Sequence, residues 1–203
     1  MDPNKCAFGV SVGQFLGFMV HERGIEINQK NIAAINKVVA PQNKTELQSL
    51  IDKVNFIRRF ISNLSGRIQA FTPLLKLKPD QEFVWGEEQR KALEDVKQYL
   101  ISPPVLVPPQ ADKPFKLYLS ADERAIGSAL VQEFKGKERV IYYVSIRLLD
   151  AETRYSPIEQ LCLCLYFSCT ELRHYLLSVE CIVICKDDVV KYMLSLPILK
   201  RMN

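Results

Sequence analysis

The chain has 203 residues, 48% hydrophobic and 25% charged, which is enough apolar material for one large folded domain or two small ones. No apolar run approaches the ~18 residues of a membrane span, and the opening MDPNKCAFGV lacks the basic-then-apolar order of a secretory signal. The net charge of +4 is unevenly spread. Between Lys30 and Lys78, nine basic residues face only Glu46 and Asp52, an excess of seven positive charges, and the rest of the chain is net negative. Such a stretch reads either as contact with a phosphate backbone or as a solvated helical face.

Taken in chain order, the first elements are strands. Ala7 to Val10 and Gln14 to Val20 are expected to pair around Ser11-Val12-Gly13. A second turn, His21-Glu22-Arg23-Gly24, leads to a short strand at Ile25 to Ile27. Helices follow. Asn28 can cap the first, with Ile32, Ile35 and Val39 on one face and Pro41 ending it. Asn43 with Glu46 three residues on forms a capping box. Behind it Leu47, Leu50, Ile51, Val54, Ile57 and Ile61 recur at helical spacing, leaving Arg58 and Arg59 off the stripe. A third helical stretch from Arg67 to Leu77 is interrupted at Pro73, and a fourth covers Glu87 to Leu100. These four make a small helical bundle with a basic exterior, and Trp85 reads as a buried anchor.

Five prolines crowd residues 101–114, so this segment is extended and marks a domain boundary. Beyond it, Phe115 to Leu119, Ile126 to Phe134 and Val140 to Ser145 make an antiparallel meander, the last two joined at Lys135-Gly136-Lys137. A long helix starts at Ser156, with Pro157 in its first position and Glu159 completing Ser-x-x-Glu. Its buried face is expected to carry Ile158, Leu161, Cys162, Leu165, Cys169, Leu172 and Leu176. His174, near its end, suits the helix dipole. Cys181 to Cys185 is a fourth strand and Val189 to Ser195 a short helix. The fold class is therefore α+β: an N-terminal hairpin (1–27), a helical unit (28–100), a proline-rich linker (101–114) and an α/β domain with a mixed sheet (115–203). Six cysteines without a Cys-x-x-Cys pair, and only two histidines, argue against zinc and for reduced, buried thiols in an intracellular protein.

Several stretches carry a family resemblance across nearly the whole chain. "KCAFGVSVGQFLGFMVHERGIEINQKNIAAI" resembles the palm end and primer-grip hairpin of gypsy-type LTR-retrotransposon reverse transcriptases, closest to those of plants. "KTELQSLIDKVNFIRRFISNLS" resembles the start of their thumb, and "FVWGEEQRKALEDVKQYLISPPVL" the helix leading to the ribonuclease H-like region. "LYLSADERAIGSALVQE", "YYVSIRLLDAETRYSPIEQLCLCLYFSCTELRHYLL" and "DVVKYMLS" resemble that region's successive blocks. The resemblance implies a ribonuclease H-like fold. It also implies an RNA–DNA or DNA duplex and the remainder of a polyprotein as partners. Phe15, Leu16 and Gly17 would touch a primer strand, and Arg58, Arg59 and Arg67 would meet phosphates.

The chain departs from the family at the residues that do chemistry. The family's Tyr-x-Asp-Asp polymerase motif precedes the FLG hairpin and does not occur between Met1 and Cys6. Ribonuclease H hydrolysis uses two Mg²⁺ ions about 4 Å apart, held by several carboxylates. Active members read Thr-Asp-Ala-Ser-Asp before Ile-Gly, then Tyr-Ser-x-x-Glu, then Thr-Asp-His before Lys-Tyr. Anchoring on Ile126-Gly127, Tyr155 and Lys191-Tyr192 puts the first aspartate position on Ser120, the glutamate on Glu159 and the next aspartate on Lys186. A fourth carboxylate would fall beyond Asn203. Asp122 and Asp188 lie two residues past the lost positions, a displacement of about 6.6 Å along a strand. Glu159 is explained by its capping box without catalysis, and Lys186 is expected to pair with it, a fixed cation in place of a metal.

Three readings follow: a nucleic-acid-binding module without catalysis or cofactor, a divergent Mg²⁺-dependent ribonuclease H, or a gene-fragment product without function.

Overall fold

In the computed structural model, residues 9–78, 80–177 and 179–195 are described. The chain opens on a three-stranded antiparallel sheet of β1 (Val12–Phe15), β2 (Phe18–His21) and β3 (Gly24–Ile27), in that order. The first turn falls at Leu16-Gly17, not at Ser11-Val12-Gly13. Both residues have positive φ, +47° and +81°, which suits a two-residue hairpin whose twist matches its strands. Of the strand expected at Ala7 to Val10, Gly9 and Val10 are not part of a strand, and Ala7 and Phe8 lie outside the described residues, as does Cys6.

Helix α1 (Gln29–Asn36) starts where Asn28 accepts a hydrogen bond from the Lys30 amide. It stops well before Pro41, so Val39 is not on its buried face but 81% exposed. Helix α2 (Lys44–Phe56) carries the expected box: the Asn43 side chain accepts from the Glu46 amide at 2.9 Å. The stretch after it is broken into short pieces: a 3-10 turn at Arg58–Phe60, α3 (Leu64–Arg67), a 3-10 turn at Gln69–Phe71 and α4 (Thr72–Leu75). Pro73 sits in the first turn of α4 instead of interrupting a helix, because no amide donor is needed there. Helix α5 (Glu87–Tyr99) closes the unit. Its core gathers Leu47, Leu50, Val54, Phe60, Phe71 and Val96. Half-buried Trp85 stacks on Phe71 at 5.4 Å.

The second sheet holds β4 (Phe115–Asp122), β5 (Ala125–Phe134), β6 (Lys137–Arg147) and β7 (Cys181–Ile184), in the order β6-β5-β4-β7. The first three form the meander, and β7 joins β4 in parallel after α6 (Pro157–Glu171) and α7 (Arg173–Leu176). A final helix, α8 (Val189–Ser195), packs against α6. The buried face of α6 is Gln160, Leu161, Cys164 and Ser168, continued by Leu172. Cys169 is exposed, not buried as expected. Ser168 is accommodated because its hydroxyl hydrogen-bonds Ser128 Oγ and the Cys164 carbonyl, each at 2.7 Å. A small side chain there lets the helix approach β5 closely.

Residues 101–114 contain no helix, turn at residues 111–112 and do not hang free. Leu106 exchanges backbone hydrogen bonds with Ile25 of β3, and the Val107 amide donates to Val140 of β6. Leu106 and Val107 are buried. Gln132, fully buried on β5, accepts from the Gln110 amide and donates to the Gln110 and Lys113 carbonyls. The segment is a strap between the two sheets. The helical unit also docks directly on β6: the Ser65 amide donates to Ser145 Oγ at 2.9 Å, and Arg147 donates to Thr72 Oγ1 at 2.8 Å. Among the described residues no helix is long and apolar enough to cross a membrane.

Candidate functional site

The cleft at the carboxyl ends of β4 and β7 follows from their register. Pairing runs to Tyr118 opposite Ile184, and two residues further on stand Ser120 and Lys186. Both line a cavity of about 390 Å³, together with Pro157, Gln160 and Leu161 from the start of α6. Two positions picked out by motif spacing, 66 residues apart, thus meet in one place. Ser120 and Lys186 are exposed.

Glu159 is one turn into α6 and faces its own N-terminus. Its carboxylate accepts from the Ser156 hydroxyl at 2.7 Å and the Ser156 amide at 2.8 Å. These bonds, hydroxyl first and then amide, hold its carboxyl below the usual range. Tyr192 of α8 adds a smaller effect in the same direction. The expected Lys186–Glu159 pair is absent: among the described residues Lys186 makes no ion pair. The capping contacts occupy the carboxylate instead. Asp122, Glu123 and Asp187 rim the cleft. Asp122 accepts from the Glu123 amide, and Asp188 caps α8 through the Lys191 amide. Among the described residues, no three His, Cys, Asp or Glu side chains come close enough together to hold a metal.

The hairpin residues behave differently from the arginines. Phe15 is 66% exposed and Leu16 75%, so the β1–β2 tip projects bare apolar groups. Gly17 beneath them permits close packing, since a Cβ there would meet the Phe56 ring at 2.8 Å. Arg58 is exposed and pairs with Glu171 of α6, tying helical unit to sheet domain. Arg59 lies over the Phe18 ring at 4.4 Å from its centroid. Arg67 pairs with Asp95, donates to the Ser62 carbonyl and stacks over Tyr99 at 4.4 Å. Its guanidinium is already occupied by the protein. His174 falls in α7 beyond the end of α6, against Tyr175. Cys164 is buried beside Gly127, and burial pushes its thiol up to about 11.

A meander, a helix laid across it, a parallel fourth strand and a cleft at the strand ends define a ribonuclease H-like domain. Residues 85–183 match the family model described as an RNase H-like domain found in reverse transcriptase. The Tf2-3 and Tf2-4 transposon polyproteins of Schizosaccharomyces pombe are each 33% identical over 175 residues, 86% of this chain. The chain spans 13% of the length of these curated relatives. Among solved structures, the foamy viral protease-reverse transcriptase in complex with RNA/DNA hybrid is similar over 96% of this chain and 26% of that one, with a TM-score of 0.81 at 22% identity. The dRH form of the same viral protein, in complex with ds DNA, gives 0.79 over 92% of this chain and 32% of that one, also at 22% identity. The likeness extends through both sheets and the helical unit, and at this identity it is a likeness of fold.

Proposed function

We propose that this chain is the thumb and ribonuclease H-like part of a gypsy-type retrotransposon polyprotein of the kind found in plants, and that it holds a template–primer duplex without cutting it. The observation that carries this reading is the donor set of the cleft. A hydroxyl and an ammonium stand where magnesium ligands are required, and the remaining carboxylate is engaged as a helix cap. Magnesium prefers hard, anionic oxygen in near-octahedral geometry, so these residues do not fit a metal pair. Duplex contact is supported by the exposed apolar tip at Phe15 and Leu16 and by the basic helical unit. The viral proteins of the same fold were solved on such duplexes. The partners are then the duplex and the rest of the polyprotein, inside the cell.

The test uses the purified chain with an RNA–DNA hybrid. The expected result is binding that weakens steeply with salt, and no cleavage in Mg²⁺ or Mn²⁺. The double variant Ser120→Asp, Lys186→Asp should acquire Mn²⁺ binding measurable by calorimetry, because it restores two anionic ligands to the cleft. Cleavage by the unaltered chain that disappears in Glu159→Gln would establish the nuclease reading, for which the acidic rim of Asp122, Glu123 and Asp187 is the favouring observation. Failure to bind any duplex at low salt would leave a fold without this function.

A further inference from the structure

A second concave surface lies where the helical unit meets the β5–β6 pair, at the same end of the sheet as the β4–β7 cleft. It is a cavity of about 610 Å³ whose walls include Lys76, Arg124, Arg147, Thr72, Glu88 and Asp150. Ala125 at the start of β5 pairs with Arg147 at the end of β6. Arg124 stands one residue before Ala125, its carbonyl bonded to the Leu148 amide. Arg124 and Arg147 both line the cavity from this corner of the sheet. Among the described residues neither has a carboxylate within ion-pair reach. Arg147 donates to Thr72 Oγ1, and among the described residues the Arg124 side chain has no hydrogen-bond partner. Among the described residues Lys76 pairs with Asp150 at 3.4 Å, an exposed contact of the weakest kind.

We infer that this cleft binds a phosphoryl group, with Arg124 and Arg147 as its principal ligands and Lys76 as the third charge. Guanidinium donors match phosphate oxygens in a planar fork, and charge-assisted bonds of this type are the strong ones. The cations on this wall, Arg67, Lys76, Arg124 and Arg147, outnumber the carboxylates Glu88 and Asp150, and a net positive cavity raises the local concentration of an anion. Entry of the anion releases Asp150 from Lys76 into solvent, which costs little because that contact is exposed. None of the three cations belongs to the arginine set suggested by family spacing. Arg67 of that set also lines this cavity but is paired with Asp95. The cleft's source of phosphate, a nucleic-acid backbone instead of a free anion, rests on the duplex-holding reading above.

The test is titration of the full chain with inorganic phosphate at constant ionic strength, read on the arginine Nε–H resonances, beside duplex binding across a salt series. Arg124→Gln alters an exposed side chain, so the fold should survive. Arg147→Gln serves as the second variant. The expected result is saturable phosphate shifts at Arg124 and Arg147, about fivefold weaker phosphate affinity in Arg124→Gln, and a duplex salt slope reduced by about one. Weaker phosphate binding with an unchanged duplex slope supports the cleft as a site for a free anion and removes it from the duplex path. Unchanged binding of both probes in Arg124→Gln and Arg147→Gln overturns the inference.

Discussion

Gln132→Leu should loosen the strap that joins the two halves of the chain. Gln132 is fully buried at the core end of β5, and its amide makes three hydrogen bonds: one from the Gln110 amide, one to the Gln110 carbonyl and one to the Lys113 carbonyl. Leucine has a similar volume and no polar atoms, so the space stays filled while three backbone groups lose their partners. Gln110 and Lys113 are exposed residues, so water can reach the freed groups. Each bond then contributes near its net value of about 1 kcal/mol instead of a full desolvation penalty. Part of the loss is offset by leucine's own burial, which leaves about 2–3 kcal/mol. For a chain of this size that is roughly 5–10 °C in Tm, at about 2–4 °C per kcal/mol. The assay is urea unfolding followed by far-UV circular dichroism and by Trp85 fluorescence, the single tryptophan reporting the helical unit. Because Leu106 and Val107 tie the strap to both sheets, the two probes should separate in the variant. A Gln132→Leu protein within 1 kcal/mol of the unaltered chain (a threshold of order one hydrogen bond), with coincident probes, would refute the reasoning.

Gly24→Ala attacks the same junction from the other side. Gly24 has φ +139°, and a Cβ there would stand 2.2 Å from the Leu106 carbonyl oxygen, so a loss of at least about 2 kcal/mol is expected in the same unfolding assay. Glu159→Gln removes a carboxylate that its Ser156 contacts hold below the usual range. Its folded pKa is depressed, so its contribution is present above the unfolded value and is lost as pH falls through the folded one. An acid titration of stability should therefore be flatter in Glu159→Gln than in the unaltered chain at the acid end and unchanged in shape near neutrality. Arg67→Ala should lower stability by about 1–2 kcal/mol through its Asp95, Ser62 and Tyr99 contacts, with no change in the duplex salt slope. Phe15→Ala with Leu16→Ala should do the reverse, holding stability within about 0.5 kcal/mol while weakening duplex binding severalfold.

Elements whose ends are fixed by local chemistry were legible in the sequence. Asn43 with Glu46 and Ser156 with Pro157 and Glu159 start their helices where expected, and Lys135-Gly136 turns the β5–β6 hairpin with two positive φ values. The hairpin at Leu16-Gly17 was misplaced because it requires a leucine in the left-handed region, which local propensity argues against. The buried face of α6 was read from hydrophobicity and so favoured Cys169 over Ser168. What buries Ser168 is a hydroxyl partner on β5, 40 residues away. Gln132 carried no signal for the same reason, since its three partners lie on a segment chosen by tertiary pairing. At the candidate cleft, spacing alone brought Ser120 and Lys186 together, but it could not report that Glu159 turns back to its own helix end.

Charge shows most clearly where a local count stops working. The stretch from Lys30 to Lys78 is strongly basic in sequence, yet three of its cations are answered from outside it: Arg58 by Glu171, Arg67 by Asp95 and Lys76 by Asp150. Folding spends these charges on docking the helical unit to its neighbours. The guanidinium groups left without an acidic partner at the junction, Arg124 and Arg147, come from a segment that is unremarkable by composition. An anion approaching the chain responds to the field that remains after internal pairing. Binding should therefore be more sensitive to Arg124 and Arg147 than to Arg67, although Arg67 lies in the basic run.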